Sequence, residues 1–279
     1  MGHNAEVDST RTTSEKHILL LGSTGLLGTA LRSELANHQN VLAPTRAELD
    51  LVTGDLDSYL GGRRVSQILN CSGYTAVDLA ESEPILAREL NQFVPKKLGA
   101  WSINHEVPLV HVSTDYVYDG LRQGLADESA ALDPLGVYAR TKLAGERYVR
   151  HGWTLRTSWL FGDSGKCFPR SLVGNWLNGK PLRVVSDQTG TPTYAKDLAK
   201  WMTLLFASAV PFGLFNAGGD EVVTWYQFAE MILEVYRRVH GIDRAVKIEP
   251  ISTREWPTAA PRPRNTALDS TKLRTALHV

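Results

Sequence analysis

The amino-acid sequence predicts an α/β fold: a doubly wound parallel sheet with a smaller C-terminal lobe. Three observations predict it. Short apolar runs alternate with helix-periodic segments from His17 to Leu160, the pattern of strands joined by crossover helices. The first apolar run leads into three glycines and then into an amphipathic segment. Small polar residues recur where successive strands end: Gly22, Cys71 to Thr75, Ser113 to Tyr116, and Ser158 to Trp159. Open parallel sheets bind ligands along that carboxyl edge, so separate segments agree on one binding edge.

The elements follow in order. Residues 1–16 are polar, lack the apolar core of a signal peptide, and read as a flexible tail. Ile18 to Leu21 is wholly apolar, as in a strand buried on both faces. Gly22, Gly25 and Gly28 follow, and a helix runs through Leu26, Leu27, Ala30, Leu31 and Leu35. Strand, glycine turn and helix form the context of a dinucleotide fingerprint. Glycines without Cβ atoms let the backbone turn tightly and approach a pyrophosphate at the helix N-terminus. The next strand, Asn40 to Arg46, ends without the acid that binds ribose hydroxyls in many NAD sites. Arg46 stands there and suits the 2′-phosphate of NADPH, with NADH and an ordinary surface arginine as the alternative. Asp50 and Leu51 follow, toward the adenine end.

Val65 to Asn70 reads as a strand. Pro84 to His105 reads as one long helix, with Leu86, Leu90, Phe93 and Leu98 at helical spacing. Pro108 to Ser113 is the next strand, Leu135 to Arg150 a helix, and Trp153 to Leu160 a strand. The helix carries Tyr138 and Lys142, one turn apart on one face. An unperturbed phenol has a pKa of about 10. A neighbouring ammonium stabilises the phenolate and draws that value down, making Tyr138 a proton donor or acceptor for a carbonyl–alcohol pair. Beyond Phe161, helices are expected over 168–178, 193–207 and 224–240, and strands over 182–185 and 213–216, with Thr224 as an N-cap. A Pro- and Arg-rich segment spans Trp256 to Asn265. Residues 17–160 and about 187–217 are therefore assigned to a dinucleotide-binding domain, and about 161–186 and 218–279 to a substrate lobe.

Composition narrows the partners. Lys plus Arg and Asp plus Glu number 30 each, so neither nucleic acid nor an anionic membrane is expected. No apolar run approaches the roughly 20 residues of a bilayer span. Only Cys71 and Cys167 are present, without metal or disulfide spacing, which suits a reducing cytoplasm.

Finer motifs add a family. They are Tyr74-Thr-Ala-Val-Asp-Leu-Ala-Glu-Ser-Glu-Pro84, Val112-Ser-Thr-Asp-Tyr-Val-Tyr-Asp-Gly120, Arg156-Thr-Ser-Trp159 and Asp187-Gln-Thr-Gly-Thr-Pro-Thr193. With the glycine turn and the Tyr/Lys pair, the chain resembles the extended short-chain dehydrogenase/reductases, and within them the dTDP-4-dehydrorhamnose reductases. The resemblance runs from His17 to Leu273 and implies a Rossmann-type sheet. It implies that Thr114, Tyr138 and Lys142 are catalytic. Tyr138 would give the proton, Thr114 would hydrogen-bond the substrate carbonyl, and Lys142 would bind the nicotinamide ribose. Gly22, Ser23, Thr24, Gly25, Leu26, Leu27 and Gly28 would form the phosphate loop. Ser72, Gly73 and Thr75 would lie beside the adenosine and ribose. Val77, Tyr116 and Trp159 would line the sugar pocket. In the Pro-rich segment, Arg262 and Arg264 suit a nucleotide diphosphate, with solvent-facing charges on a loop as the equal alternative. The implied reaction moves hydride from NADPH to the C4 ketone of a dTDP-activated 6-deoxy-4-ketohexose, dTDP-4-dehydro-L-rhamnose or a streptose-type relative. Ala30 replaces a glutamate that joins a metal-bridged dimer interface in some relatives, so no metal is expected and both monomer and homodimer stay open. Two other readings also stay open: a non-catalytic NADP-binding subunit similar to the regulatory subunit of methionine adenosyltransferase, and an epimerase-reductase similar to GDP-fucose synthase.

Overall fold

The computed structural model describes residues 15–279. The tail expected over residues 1–16 lies outside the described residues except for its last two, and Lys16 already opens the first strand. That strand, β1 (Lys16–Leu21), leads into α1 (Leu26–Glu34) and then β2 (Val41–Leu42). The short α2 (Leu56–Leu60) precedes β3 (Arg64–Asn70), and α3 (Leu79–Ser82), α4 (Pro84–Arg88) and α5 (Val94–Asn104) lead to β4 (Leu109–Thr114). After α6 (Val137–Glu146) come β5 (Gly152–Thr157), β6 (Leu160–Phe161), α7 (Phe168–Leu177), β7 (Arg183–Val185), β8 (Thr189–Gly190) and β9 (Thr193–Tyr194). The chain continues through α8 (Ala195–Ala207), β10 (Gly213–Asn216), β11 (Val223–Thr224), α9 (Trp225–Val239), β12 (Glu249–Ile251) and α10 (Thr271–Leu277).

Six strands form one parallel sheet in the order β10-β5-β4-β3-β1-β2. The apolar run of β1 shows why both faces are covered. Ile18 and Leu20 point into a core with Leu27 and Leu31 of α1 and Leu198 and Met202 of α8. Leu19 and Leu21 point the other way, toward Val94 and Leu98 of α5. The period of two thus feeds two cores from one strand. A third core joins Leu172 and Trp176 of α7 to Ala229 and Leu233 of α9. Beside it, β7 pairs with β12, and β8 with β11. The N-cap read at Thr224 is a full capping box with Gln227.

Two expected elements are broken, each for a local reason. The helix expected over 84–105 is interrupted by a π-helical turn, Glu89–Phe93. Pro95 has no N–H for the carbonyl of Asn91, four residues back, so the regular ladder cannot pass. The irregularity turns the buried Asn91 side chain onto the backbone of Tyr74 and the hydroxyl of Thr141 on α6. The strand expected over 153–160 stops at Thr157, because Trp159 adopts a left-handed backbone with φ of 45°. Its continuation, β6, pairs instead with β9.

One buried ion pair fastens α6 to the sheet. The Arg156 guanidinium meets the Glu146 carboxylate at 2.7 Å, with side-chain exposures of 2% and 9%. Glu146 also accepts from Ser113 on β4, and Arg156 donates to the Tyr118 hydroxyl at 3.0 Å. Removing one partner strands a buried charge, a loss of about 3–5 kcal/mol. Arg156→Met should therefore lower unfolding free energy by about that amount in urea titrations, whereas a change within error would show the pair to be dispensable.

Candidate active site

The carboxyl edge of the sheet opens onto a cavity of about 730 Å³. Its floor is the turn between β1 and α1. Gly22 has φ of +78°, and a Cβ there would lie 2.6 Å from the backbone nitrogen of Ser72. A Cβ on Gly28 would lie 2.1 Å from the Gly22 carbonyl oxygen, so only glycine lets α1 seat on the turn. Gly25 differs: its Cβ would meet only the Gly22 oxygen, at 3.4 Å. Packing within the protein does not demand glycine there, but a phosphate lying against the backbone does. The first turn of α1 contains no acid, so its positive end is free to attract an anion. The donor-rich, uncluttered cradle fits a dinucleotide. Ser23 is buried and donates to the Ala43 and Pro44 carbonyls, so its side chain ties the loop to the segment that follows β2. Thr24, Leu26 and Leu27 complete this wall.

Arg46 stands at the cavity mouth beside Leu51, with its side chain 76% exposed. Its Nε donates to Asp50 at 3.1 Å. Asp50 also accepts from the backbone N–H groups of Val52 and Thr53, and these bonds, with Arg46, hold its carboxyl below its ordinary value. Ser72, Gly73 and Thr75 line the cavity past β3. Ser72 donates to Asn70 at 2.5 Å, and a Cβ on Gly73 would sit 3.7 Å from the Lys142 nitrogen.

Thr114, Tyr138 and Lys142 all face this cavity. Gly136 caps α6, whose first turn gives Tyr138 and whose next gives Lys142. The Lys142 ammonium is buried and donates to the Val112 carbonyl at 2.5 Å. Burial pushes its pKa down to about 8, with Glu146 the main opposing influence. Tyr138 behaves differently from the sequence expectation. Burial pushes its phenol up to about 12, and the charge of the nearby Asp115 adds to the rise. Lys142 is turned toward Val112, and the phenol lacks the expected ammonium stabilisation. A phenol so raised keeps its proton at neutral pH, the state an acid requires.

Val77 and Tyr116 line the same space, and the Tyr116 ring meets Tyr138 edge-on at 6.2 Å. Trp159 stacks on Trp225 with ring centroids 3.6 Å apart and planes 8° apart. A Cβ at Gly190 would come within 2.4 Å of the indole. These contacts hold the strained backbone of Trp159, a conformation that costs about 1–3 kcal/mol. Arg262 does not line the cavity. Its guanidinium is paired with Asp78 at 2.8 Å and with the Ala260 carbonyl. Asp115, which the sequence reading placed on the binding edge without a role, lines the cavity, as do Lys166 and Trp225, which escaped that reading. Lys166 forms no ion pair among the described residues, and a Cβ on its neighbour Gly165 would lie 3.6 Å from Leu26 at the start of α1. No group of three or more His, Cys, Asp or Glu side chains among the described residues is placed to hold a metal.

The depressed pKa of Lys142 carries a sign for stability. Below about pH 8 the folded chain bears the full penalty of a buried ammonium. From there toward the ordinary value of 10.5 the unfolded chain binds more protons, so rising pH stabilises the fold. The wild type should thus gain stability relative to Lys142→Met across that window, read by denaturant unfolding at each pH; a constant difference would contradict the assigned burial. Gly28→Ala should weaken NADPH binding at least tenfold by isothermal calorimetry, and undiminished affinity would separate the cradle from the cofactor.

The family model described as RmlD substrate binding domain matches residues 16–279. The chain is 33% identical over 274 residues to a dTDP-4-dehydrorhamnose reductase of Aggregatibacter actinomycetemcomitans, covering 94% of this chain and 93% of the relative. It is 32% identical over 252 residues to a probable dTDP-4,6-dihydroxy-2-methyloxan-3-one 4-ketoreductase of Streptomyces antibioticus, covering 88% and 84%. Among solved structures, it matches dTDP-4-dehydrorhamnose reductase from Bacillus anthracis in complex with NADP with a TM-score of 0.85 and 28% identity, over 94% of this chain and 92% of that one. The cradle, the Tyr/Lys helix and the full-length match converge: the chain belongs to the RmlD family, that of the dTDP-4-dehydrorhamnose reductases.

Proposed function

We propose that this chain is an NADPH-dependent 4-ketoreductase of a dTDP-activated 6-deoxy-4-ketohexose, with dTDP-4-dehydro-L-rhamnose as the first substrate to try. The observation that carries the proposal is the convergence of Thr114, Tyr138 and Lys142 on one cavity that continues to the glycine cradle. The Bacillus anthracis relative holding NADP supports the cofactor. The Streptomyces antibioticus relative is a reason to test other deoxysugars as well.

The chain's residues divide the work. The reduced nicotinamide, when bound, supplies the hydride. The cradle at Gly22 to Gly28 and the N-terminus of α1 would hold its pyrophosphate. Arg46 would bind the 2′-phosphate by leaving Asp50 or by sharing it, which favours NADPH over NADH. Lys142, with Gly73 beside it, would hold the nicotinamide ribose. Tyr138 would protonate the alkoxide formed at sugar C4, and Thr114 would orient that oxygen. Val77, Tyr116, Trp159 and Trp225 would wall the sugar. Residues 17–160 with about 187–217 would serve the cofactor, and about 161–186 with 218–279 the sugar nucleotide. Arg262 would reach a diphosphate only by releasing Asp78, so its direct role ranks below that of Lys166.

The alternatives draw less support. An epimerase needs a second acid/base pair near the sugar, yet burial pushes the Cys71 thiol far up and the Cys167 thiol leans on the Gly162 carbonyl. A purely regulatory role would leave the Thr/Tyr/Lys group without a task. No helix among the described residues is long and apolar enough to cross a membrane. A cytoplasmic monomer or homodimer acting on a small molecule, without nucleic acid, completes the proposal.

The test is NADPH consumption with dTDP-4-keto-6-deoxy-L-lyxo-hexulose. Tyr138→Phe should lower turnover by about 10²–10⁴-fold with NADPH affinity retained. Full activity in that variant would overturn the assigned acid, and no turnover by the wild type on any ketosugar nucleotide would overturn the activity.

A further inference from the structure

Asp115 is 3% exposed and directly follows Thr114 at the end of β4. Its Oδ1 accepts from the Thr114 hydroxyl at 3.0 Å, and its Oδ2 accepts from Ser158 at 2.9 Å. Among the described residues, no cation pairs with Asp115. The titratable and charged groups around it are Tyr116, Tyr138 on α6, and the Arg262–Asp78 pair beyond Tyr116.

A threonine hydroxyl has one proton and two lone pairs. Here the proton goes to Asp115, and one lone pair accepts from the Tyr116 backbone N–H at 3.3 Å. What Thr114 offers the cavity in this arrangement is a lone pair. It can accept from Tyr138 or from a sugar alcohol, but it cannot donate to a ketone oxygen. A protonated Asp115 reverses the bond: its own O–H donates to Thr114, whose proton is then free for the cavity.

We propose that Asp115 is a positioning residue whose protonation state sets whether the Thr114 hydroxyl donates to the substrate oxygen or accepts from it. This rests on the reading of the cavity as a ketosugar reductase site. Protonated Asp115 favours ketone reduction, and ionised Asp115 favours the alcohol. The proton that switches the pair is taken up from solvent by the Asp115 carboxylate and returned to it on ionisation; the hydride and the Tyr138 proton balance the reduction itself. Burial pushes the Asp115 carboxyl up to about 6, opposed by its hydroxyl donors, so the switch falls within a workable pH range.

The experiment follows single-turnover reduction of the ketosugar nucleotide by NADPH against pH. The wild type should show a rate that rises as pH falls through a break near 6. Asp115→Asn, whose amide donates to Thr114 as the protonated acid does, should lose the break and hold the low-pH rate. Ser158→Ala removes a donor to the carboxylate and should move the break to higher pH. A residue that served only the fold would change the rate or the melting temperature without moving the break. A break kept in Asp115→Asn, or unmoved in Ser158→Ala, overturns the proposal. A carboxyl ¹³C titration of the ligand-free protein needs no turnover and separates the two readings. The Asp115 resonance, identified by its loss in Asp115→Asn, should titrate to higher pH in Thr114→Val, and an unmoved resonance overturns the proposal even if the reductase reading fails.

Discussion

The attachment of α6 to the sheet is the constraint on which the site depends. Tyr138, Lys142 and Glu146 recur every four residues and so share one helix face. The last of the three is held by Arg156 and Ser113, from the two strands beneath. The first two are thereby aimed into the cavity. A buried ion pair is a poor source of net stability but a strong source of geometry, because its hydrogen bonds accept only one arrangement. On the opposite flank Asn91 and Thr141 tie α6 to the π-helical turn. The helix is thus fixed at both sides by polar contacts that apolar packing could not orient.

The electrostatics of the site follow from the same burial. Desolvation works against charge on both key groups, lowering Lys142 and raising Tyr138. The phenol therefore arrives loaded with its proton, while Lys142 keeps its charge through the Val112 carbonyl and the nearby Glu146. His111, close behind, is held neutral by burial and by the Lys142 charge, and its Nδ1 lies 3.0 Å from the Asn70 amide. The same Asn70 orders Ser72 at the cavity edge. Bound cofactor adds phosphates and a ribose to this field, so the resting values describe the state from which the site starts.

Much of this was legible in the residues. The apolar run of β1, the glycine turn and the four-residue spacing on α6 are local patterns, and local patterns survive folding. Pro95 was visible too; what it does to the carbonyl of Asn91 becomes clear only when Gly145 and Tyr74 are seen to need that turn. The role of Asp115 and the place of Trp225 were hidden for another reason. Each depends on a partner far along the chain, Ser158 for one and Trp159 for the other. Arg262 shows the converse: a cation beside prolines suggests a diphosphate, but Asp78, 184 residues away in sequence, lies within reach of it. Long-range pairing of that kind leaves no periodicity to read.

The central claim is direct delivery of hydride to sugar C4 with a proton from Tyr138. The measurement that tests it most directly uses NADPH deuterated at the transferred nicotinamide position with dTDP-4-keto-6-deoxy-L-lyxo-hexulose, followed by NMR of the sugar. The account predicts one deuterium at C4 of the product. It also predicts, in a companion reaction run in deuterated water with unlabelled cofactor, no deuterium at the carbons flanking C4. Solvent deuterium at those carbons, or label that stays on the nicotinamide, would contradict it.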